Sequence, residues 1–135
     1  MSPRSSKTKL VDCVPLPAQK SQQPRELIIV EGDSASLAVA RVRDQITQAV
    51  LPMQGKPMNA EKSTEHKVRN HVWFSTMIDA IGLGWKPDSI AGFRYDRIAL
   101  LFDPDADGIH CGALMLLFID RYLRVLLDER RVSLI

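Results

Sequence analysis

The chain has 135 residues, which suits one domain with one hydrophobic core. Hydrophobic residues make up 45% and charged residues 25% of it, close to the average of soluble globular proteins, so disorder of the whole chain is not expected. The formal net charge of +2 is unevenly spread: residues 1–25 hold five basic residues and one acid, and residues 26–135 hold the remaining 13 basic and 15 acidic residues. The folded part is therefore not a basic nucleic-acid-binding body of the histone type.

Sequence signals of secretion and membrane insertion are lacking. Residues 1–25 contain no apolar segment of the kind that forms a signal peptide. The longest apolar stretch, residues 108–119, is too short to span a bilayer. Cys13 and Cys111 form no CxxC motif, so neither a disulfide framework nor a zinc site is expected. We therefore expect a cytoplasmic protein with free thiols and no membrane partner.

The first part of the chain predicts an arm, a strand and a helix. Residues 1–25 are rich in Ser, Pro, Lys and Gln without an apolar period, which is typical of a flexible basic arm. Residues 26–30 (ELIIV) are an apolar run that predicts a buried parallel strand. A helix capped by Asp33 or Ser34 is expected to run to about Gln48. Its buried face would consist of Ala35, Ala38, Val39, Val42, Ile46 and Val50.

The middle of the chain predicts a loop and a second helix. Residues 51–59 hold two prolines and a glycine and are expected to be loop. Residues 66–81 are expected to be helical, and the glycines that follow would end the helix. Its inward side chains would be Val68, Val72, Met77, Ile78 and Ile81.

The last part of the chain predicts two further strands and a long helix. Residues 97–102 (RIALLF) form a second buried strand, and a tight acidic loop follows at residues 103–108. Residues 110–129 are apolar almost all round, which predicts a heavily buried helix, and residues 132–135 begin a third strand. Because strands alternate with helices, residues 26–135 are expected to form an α/β domain with a parallel sheet.

Acidic residues directly follow both of the predicted buried strands. Glu31 follows the first strand, and Asp103, Asp105 and Asp107 follow the second. The carboxyl ends of parallel strands open onto one edge of the sheet, where ligands bind, so the four carboxylates are expected to converge. Such charges repel by roughly 1 kcal/mol per pair even in water, so a cation or protonation is required. All-oxygen ligands suit Mg²⁺, Ca²⁺ or Mn²⁺ rather than Zn²⁺.

Other interpretations of these acids remain open. A helix–loop–helix calcium site also begins DxDxDG, but it requires a Glu six residues after the Gly, and that position is Leu114. A solvated acidic loop without an ion fits the spacing as well. Glu31 alone is equally explained by the preference of helix N-termini for acids. The pairing of Glu31 with the second acidic segment favours a metal site.

Three segments, in this order, resemble the TOPRIM domain of the B subunits of bacterial type IIA topoisomerases, DNA gyrase and topoisomerase IV. They are EGDSA at residues 31–35, LPMQGKPMNAEK at residues 51–62, and YDRI at residues 95–98 leading into DPDADGIH at residues 103–110. The segment KLVDC at residues 9–13 is similar to the family's lead-in, so the resemblance covers about residues 9–135. It implies a Rossmann-like TOPRIM fold, a parallel sheet flanked by helices.

The resemblance also implies a function and a set of site residues. Family members cleave and religate DNA with Mg²⁺, and a tyrosine on a partner A subunit attacks the phosphodiester. Glu31 would be the general acid/base and a metal ligand, Asp103 and Asp105 the principal ligands, and Asp107 a second-site ligand. Mn²⁺ would be an alternative ion.

Lys56 and His110 would lie near the DNA by the same resemblance. A lone loop lysine is commonly just solvated, and a histidine near a helix start commonly caps or packs. The chain also departs from the family's usual pattern at Ser36, Leu37, Gln54, Pro104, Ala106 and Gly112. These departures remove two glycines and two basic residues, which DNA contact would use, and leave the four acids intact.

The chain lacks a nucleophile of its own in this scheme. Tyr95 and Tyr122 lie on apolar segments and are predicted to be core or interface residues. No glycine-rich ATP loop is present, so no ATP site is expected in this chain, and the ATP-dependent topoisomerase activity of the family is not expected from it alone. Its expected partners are DNA and an A-type subunit. Two alternatives remain: a nuclease-like or primase-like TOPRIM enzyme that uses a metal-activated water, and a non-catalytic TOPRIM docking module.

Overall fold

Four parallel strands and five helices make up the described part of the chain, residues 9–14, 24–53 and 58–135, in a computed structural model. The elements in chain order are β1 Glu26–Glu31, α1 Gly32–Val42, β2 Gln48–Met53, α2 Glu65–Arg69, α3 Val72–Ile81, β3 Arg97–Leu101, α4 Ala106–Tyr122, α5 Arg124–Asp128 and β4 Val132–Leu134. The strands lie in the order β2-β1-β3-β4, and all three neighbouring pairs are parallel. The predicted α/β fold with a parallel sheet is confirmed.

Helices cover both faces of the sheet, because alternate residues of a strand point to opposite sides. Leu27 and Ile29 of β1 belong to the larger core, which includes residues of α3, α4 and α5. Ile28 and Val30 point the other way, into a smaller cluster with Ala35 and other residues of α1. Both faces of β1 are therefore buried, which explains its nearly continuous apolar sequence.

Strand β2 corrects two predictions, since the first helix was expected to reach Gln48 and the segment after it to be loop. Helix α1 ends at Val42 instead, and Asp44 Oδ1 accepts hydrogen bonds from the amides of Ile46 (2.9 Å) and Thr47 (3.2 Å), forming a turn. Pro52 is tolerated because β2 is an edge strand: Val50 directs its amide away from β1, and Pro52, two residues on, directs its nitrogen the same way.

Two predicted helices are interrupted in the structure. The second breaks at Asn70 and His71, whose side chains bond the local backbone: Asn70 Nδ2 donates to the His66 oxygen (2.8 Å) and His71 Nδ1 accepts from Trp73 N (3.1 Å). The third breaks at Leu123, next to a Tyr122 carbonyl that accepts from Lys86 N (2.9 Å). These side-chain and loop contacts compete with the helical bonds.

Several side chains predicted to be buried are exposed, because the helices are shorter and rotated relative to the expected faces. Val42 is 83% and Val72 51% exposed, and Ile46 lies in the exposed turn. Ser36, which replaces a family glycine, is buried on α1, while Leu37 is exposed. Gly82 ends α3 with a left-handed φ of 85°, as its position predicts.

Residues 9–14, which we call the N-terminal strap, pack against the outer edge of β2. Val11 and Val50 exchange two backbone hydrogen bonds of 2.9 Å in antiparallel orientation. Because the strap runs antiparallel to β2, Lys9 lies toward the carboxyl edge of the sheet. The predicted flexible arm at residues 1–25 is therefore a packed segment over the strap, while residues 1–8 and 15–23 lie outside the described residues.

Candidate metal site at the carboxyl edge of the sheet

Glu31 and Asp103 lie at the carboxyl ends of neighbouring strands. β1 and β3 pair in parallel up to Val30 and Leu101, so the next residues of both strands emerge at the same edge. The amide of Asp103 donates a 3.0 Å hydrogen bond to Glu31 Oε1. This bond fixes the glutamate against the acidic segment and leaves Oε2 available for another partner, as the sequence predicts for a shared site.

Asp105 starts helix α4 rather than standing in an open loop. Its Oδ1 accepts a hydrogen bond from the Gly108 amide at 2.8 Å, so Asp105 is the N-cap and the helix begins four residues before the predicted start at position 110. Its second carboxylate oxygen has no such role. One oxygen of Asp105 is thus structural, and the other is available for an ion.

Gly108 is required by a close backbone approach. A Cβ at this position would lie 1.9 Å from the Asp103 carbonyl oxygen, far inside van der Waals contact. The helix start therefore folds directly onto the Asp103 backbone and holds the acidic segment against the end of β3. By contrast, a Cβ at Gly112 would meet only ordinary contacts, at 3.4 Å from Phe102 and 3.5 Å from Leu134.

The remaining acid, Asp107, lies in the exposed first turn of α4, where the helix dipole favours a negative charge. Burial, and then the charges of Glu31, Asp107 and Asp105, raise the pKa of the Cys111 thiol. Since one thiol responds to three acids from two segments, these acids share one electrostatic neighbourhood. Cys111 is a half-buried free thiol that the sequence analysis did not connect with the site.

The carboxylates do not form a tight cluster. Among residues 9–14, 24–53 and 58–135, no group of three or more His, Cys, Asp or Glu side chains is placed to hold a metal ion together. The donor set still fits Mg²⁺, because this ion keeps several water molecules and commonly takes only one or two protein carboxylates. Glu31 with Asp103, or Asp105 with Asp107, supplies such oxygen-only pairs on an accessible edge.

The basic residues expected near this edge are placed unevenly. His110 is exposed in the second turn of α4; it does not cap the helix, since Asp105 does. Lys56 lies outside the described residues, as does Gln54. Lys9 of the strap, which the sequence analysis left in the arm, forms a 2.7 Å ion pair with Asp33. This pair brings a positive charge to the residues that follow Glu31.

The strap is anchored by Asp12, a residue that sequence reasoning missed. Its carboxylate accepts hydrogen bonds from Tyr95 Oη (2.7 Å) and the Cys13 amide (2.8 Å), and it pairs with Arg94. Burial opposes ionisation, but these three donors outweigh it and hold the pKa of Asp12 below its ordinary value of 3.8. Tyr95 is buried, as predicted, and burial followed by the Asp12 carboxylate raises its pKa. Adjacent basic and aromatic residues at positions 94 and 95 were the available signal.

The parallel sheet with its acids at the carboxyl edge defines a protein class. The Toprim domain profile matches residues 26–134, and the chain belongs to this family. Within the family its relatives carry one name. The chain is 40% identical over 121 residues to the DNA gyrase B subunit of Metamycoplasma arthritidis, covering 89% of this chain and 18% of that protein. It is 40% identical over 125 residues to the DNA gyrase B subunit of Thermotoga maritima, covering 92% of this chain and 19% of that protein.

A third relative shows the same relationship. The DNA gyrase B subunit of Archaeoglobus fulgidus is 40% identical over 122 residues, covering 90% of this chain and 19% of that protein. The chain therefore spans about a fifth of the length of the curated relatives it matches. In the described part of the chain, no helix has the length and apolar content needed to cross a membrane.

Proposed function

We propose that the chain is a Mg²⁺-binding Toprim domain that supports DNA cleavage and religation with a tyrosine supplied by a partner subunit. The observation that carries this proposal is the 3.0 Å bond between the Asp103 amide and Glu31 Oε1, which joins the two acidic segments at one edge of the sheet. The shared name of the relatives, the B subunit of DNA gyrase, supports DNA as the substrate and an A-type gyrase subunit as the partner.

Each acid has a role that follows from its position. Glu31, held by the Asp103 amide, is proposed to exchange a proton with the leaving 3′ oxygen and to bind the metal. Asp103 and Asp105 are the proposed principal ligands, and Asp107 serves a second site. Bound Mg²⁺, or Mn²⁺ in its place, would neutralise charge on the scissile phosphate.

The attacking tyrosine is proposed to come from the partner, because both tyrosines of this chain are occupied in the core. Tyr122 is fully buried, and Tyr95 is 4% exposed with its hydroxyl donating to Asp12. Neither hydroxyl is near an open phosphate-binding edge. His110, exposed on α4, and Lys56 are the proposed DNA contacts, with Lys9 as an additional cation at this edge.

Plasmid cleavage measures this function directly. With Mg²⁺ and an A-type topoisomerase subunit, the chain should support covalent trapping of DNA, and without that subunit it should neither nick nor relax the plasmid. Glu31→Gln should lower cleavage by about 10²–10⁴-fold, the usual contribution of a general acid/base. The matched control is Glu129→Gln, which removes the same charge from an exposed position after α5.

The outcomes separate the alternatives. Nicking by the chain alone that is lost in Glu31→Gln would contradict the proposal and favour a nuclease-like enzyme with a metal-activated water. Absence of cleavage with the partner subunit would favour the docking module. One observation favours that second candidate: Ser36 and Leu37 stand on α1 where the family resemblance implies glycines, so a phosphate backbone meets side chains there.

A further inference from the structure

A small pocket opens at the amino edge of the sheet, at the opposite ends of the strands from the acids. Its volume is about 260 Å³, and it is lined by Pro24, Arg25, Glu26, Thr47, Gln48 and Arg97. Glu26 is the first residue of β1, a six-residue strand that ends at Glu31. At about 3.3 Å per residue, the pocket lies roughly 17 Å from the acidic edge, so it is a separate site.

The backbone beneath the pocket is firmly held. The carbonyl of Arg25 accepts hydrogen bonds from the amides of Asp96 (2.7 Å) and Arg97 (3.2 Å), and the Arg25 amide donates to Asp96 Oδ2 (2.7 Å). Glu26 and Arg97 are register partners on adjacent strands. The two arginine side chains therefore project from neighbouring, fixed positions into the same pocket.

Both guanidinium groups are uncommitted. Within the described residues, neither Arg25 nor Arg97 forms a side-chain hydrogen bond or an ion pair, whereas Arg69, Arg94 and Arg124 are all paired with carboxylates. The nearby acids are already occupied: Glu26 accepts from Gln48 Nε2 (3.1 Å) and Asp96 from the Arg25 amide.

A third arginine adds charge beside the pocket. Arg131 Nη1 donates to the Asp96 carbonyl oxygen at 3.1 Å, which holds its guanidinium at this edge of the sheet. Three arginines thus face two engaged carboxylates, and the edge carries a net positive charge. Together with the free guanidinium groups, this charge makes the pocket attractive to an anion.

We propose that this pocket binds one phosphate group, held by the guanidinium groups of Arg25 and Arg97. The planar donor fork of arginine matches the oxygens of a phosphate, often through two parallel hydrogen bonds. The volume lies below the roughly 300–1,000 Å³ of pockets that enclose drug-sized ligands, which fits a single anionic group rather than a whole nucleotide. The group is either a free phosphate or a phosphodiester of DNA that passes the amino edge.

The test is an NMR titration of the ¹⁵N-labelled full chain in buffer without divalent cations, so that the result does not depend on the proposed metal site. One arm uses inorganic phosphate, with sodium chloride of equal ionic strength as the reference, and the other uses a short DNA duplex. We expect saturable shifts of the amides of Thr47, Gln48 and Arg97 in at least one arm. Saturation by inorganic phosphate identifies a free phosphate site, and saturation by the duplex alone identifies a phosphodiester site.

The variants test the arginines. Arg25→Gln and Arg97→Gln should each weaken binding at least tenfold, and Arg97→Lys should weaken it less because the charge stays. Lys67→Gln, which removes one exposed positive charge from α2 outside the pocket, should leave affinity within twofold. Thermal melts should match wild type for all four variants, since these side chains form no tertiary hydrogen bonds with the described residues. No saturable shift in either arm, or an equal loss in Lys67→Gln, would overturn the proposal.

Discussion

The amide of Asp103 and the carboxylate of Glu31 are joined by a 3.0 Å hydrogen bond across 72 positions of sequence. The bond exists because β1 and β3 are parallel neighbours that end at the same level of the sheet. It orients Glu31 through a backbone donor, so the acidic segment after β3 keeps its place without a metal ion. The site is thereby preorganised by the fold, and its ligands need only small adjustments to close on an ion.

Gly108→Ala should disrupt the acidic segment. The new methyl group would lie 1.9 Å from the Asp103 carbonyl oxygen, which is backbone and cannot rotate away. We expect a loss of about 3 kcal/mol in the free energy of unfolding, at the upper end of overpacking effects. Urea denaturation of the variant and the wild type measures this difference.

Gly112→Ala is the matched control one helical turn further along α4. Its methyl group would find ordinary contacts with Phe102 and Leu134 at 3.4 and 3.5 Å. Because alanine also lowers the entropy lost on helix formation, we expect unchanged stability or a gain of up to about 1 kcal/mol. Equal destabilisation by both substitutions would show that the close approach at Gly108 is not what the fold requires.

Asp105→Asn should remove charge without removing the helix cap. Asn caps helices about as well as Asp, so the bond to the Gly108 amide persists and thermal stability in EDTA should match or slightly exceed that of wild type as carboxylate repulsion falls. Asp105→Ala should cost about 1 kcal/mol through loss of the cap. A marked loss of stability in Asp105→Asn under EDTA would show a structural role for the charge itself.

Asp12→Asn should loosen the strap in a pH-dependent way. The folded-state pKa of Asp12 is lowered, so its contribution to stability is present above the ordinary value of 3.8 and is lost as pH falls through the folded-state pKa. We expect the variant to be less stable than wild type by about 1 kcal/mol near neutral pH, a modest figure because the pair is partly solvated. The two proteins should converge below about pH 3 in urea titrations; a constant difference at all pH values would contradict this assignment.

Much of the fold was predictable from the sequence because two of its central features are local. The strands at Glu26–Glu31 and Arg97–Leu101 are continuous apolar runs buried on both faces, and the acids follow them directly. β2 escaped prediction because Pro52 and the flanking loop residues resemble a loop, and its partner on the outer edge is the strap. An edge strand whose missing N–H faces outward has no distinct one-dimensional pattern.

Long-range polar contacts explain the other differences. Nothing near Asp12 in sequence indicates that it meets Arg94 and Tyr95, more than 80 positions away, so the strap was predicted to be part of a flexible arm. Likewise, the acids were expected to converge, but the dual use of Asp105 as a helix cap depends on where α4 begins, and the predicted start at position 110 was too late. Such choices are decided by tertiary geometry rather than by local propensity.

Paramagnetic broadening by Mn²⁺ tests the central claim, a divalent-metal site at the carboxyl edge, most directly. In ¹⁵N spectra of the full chain, substoichiometric Mn²⁺ should broaden the amides of residues 31–33 and 103–111 first, and excess Mg²⁺ should reverse the effect. Asp105→Asn should weaken the broadening, whereas Glu129→Gln should leave it unchanged. Broadening centred away from both acidic segments, or the same broadening in Asp105→Asn as in wild type, would contradict the account.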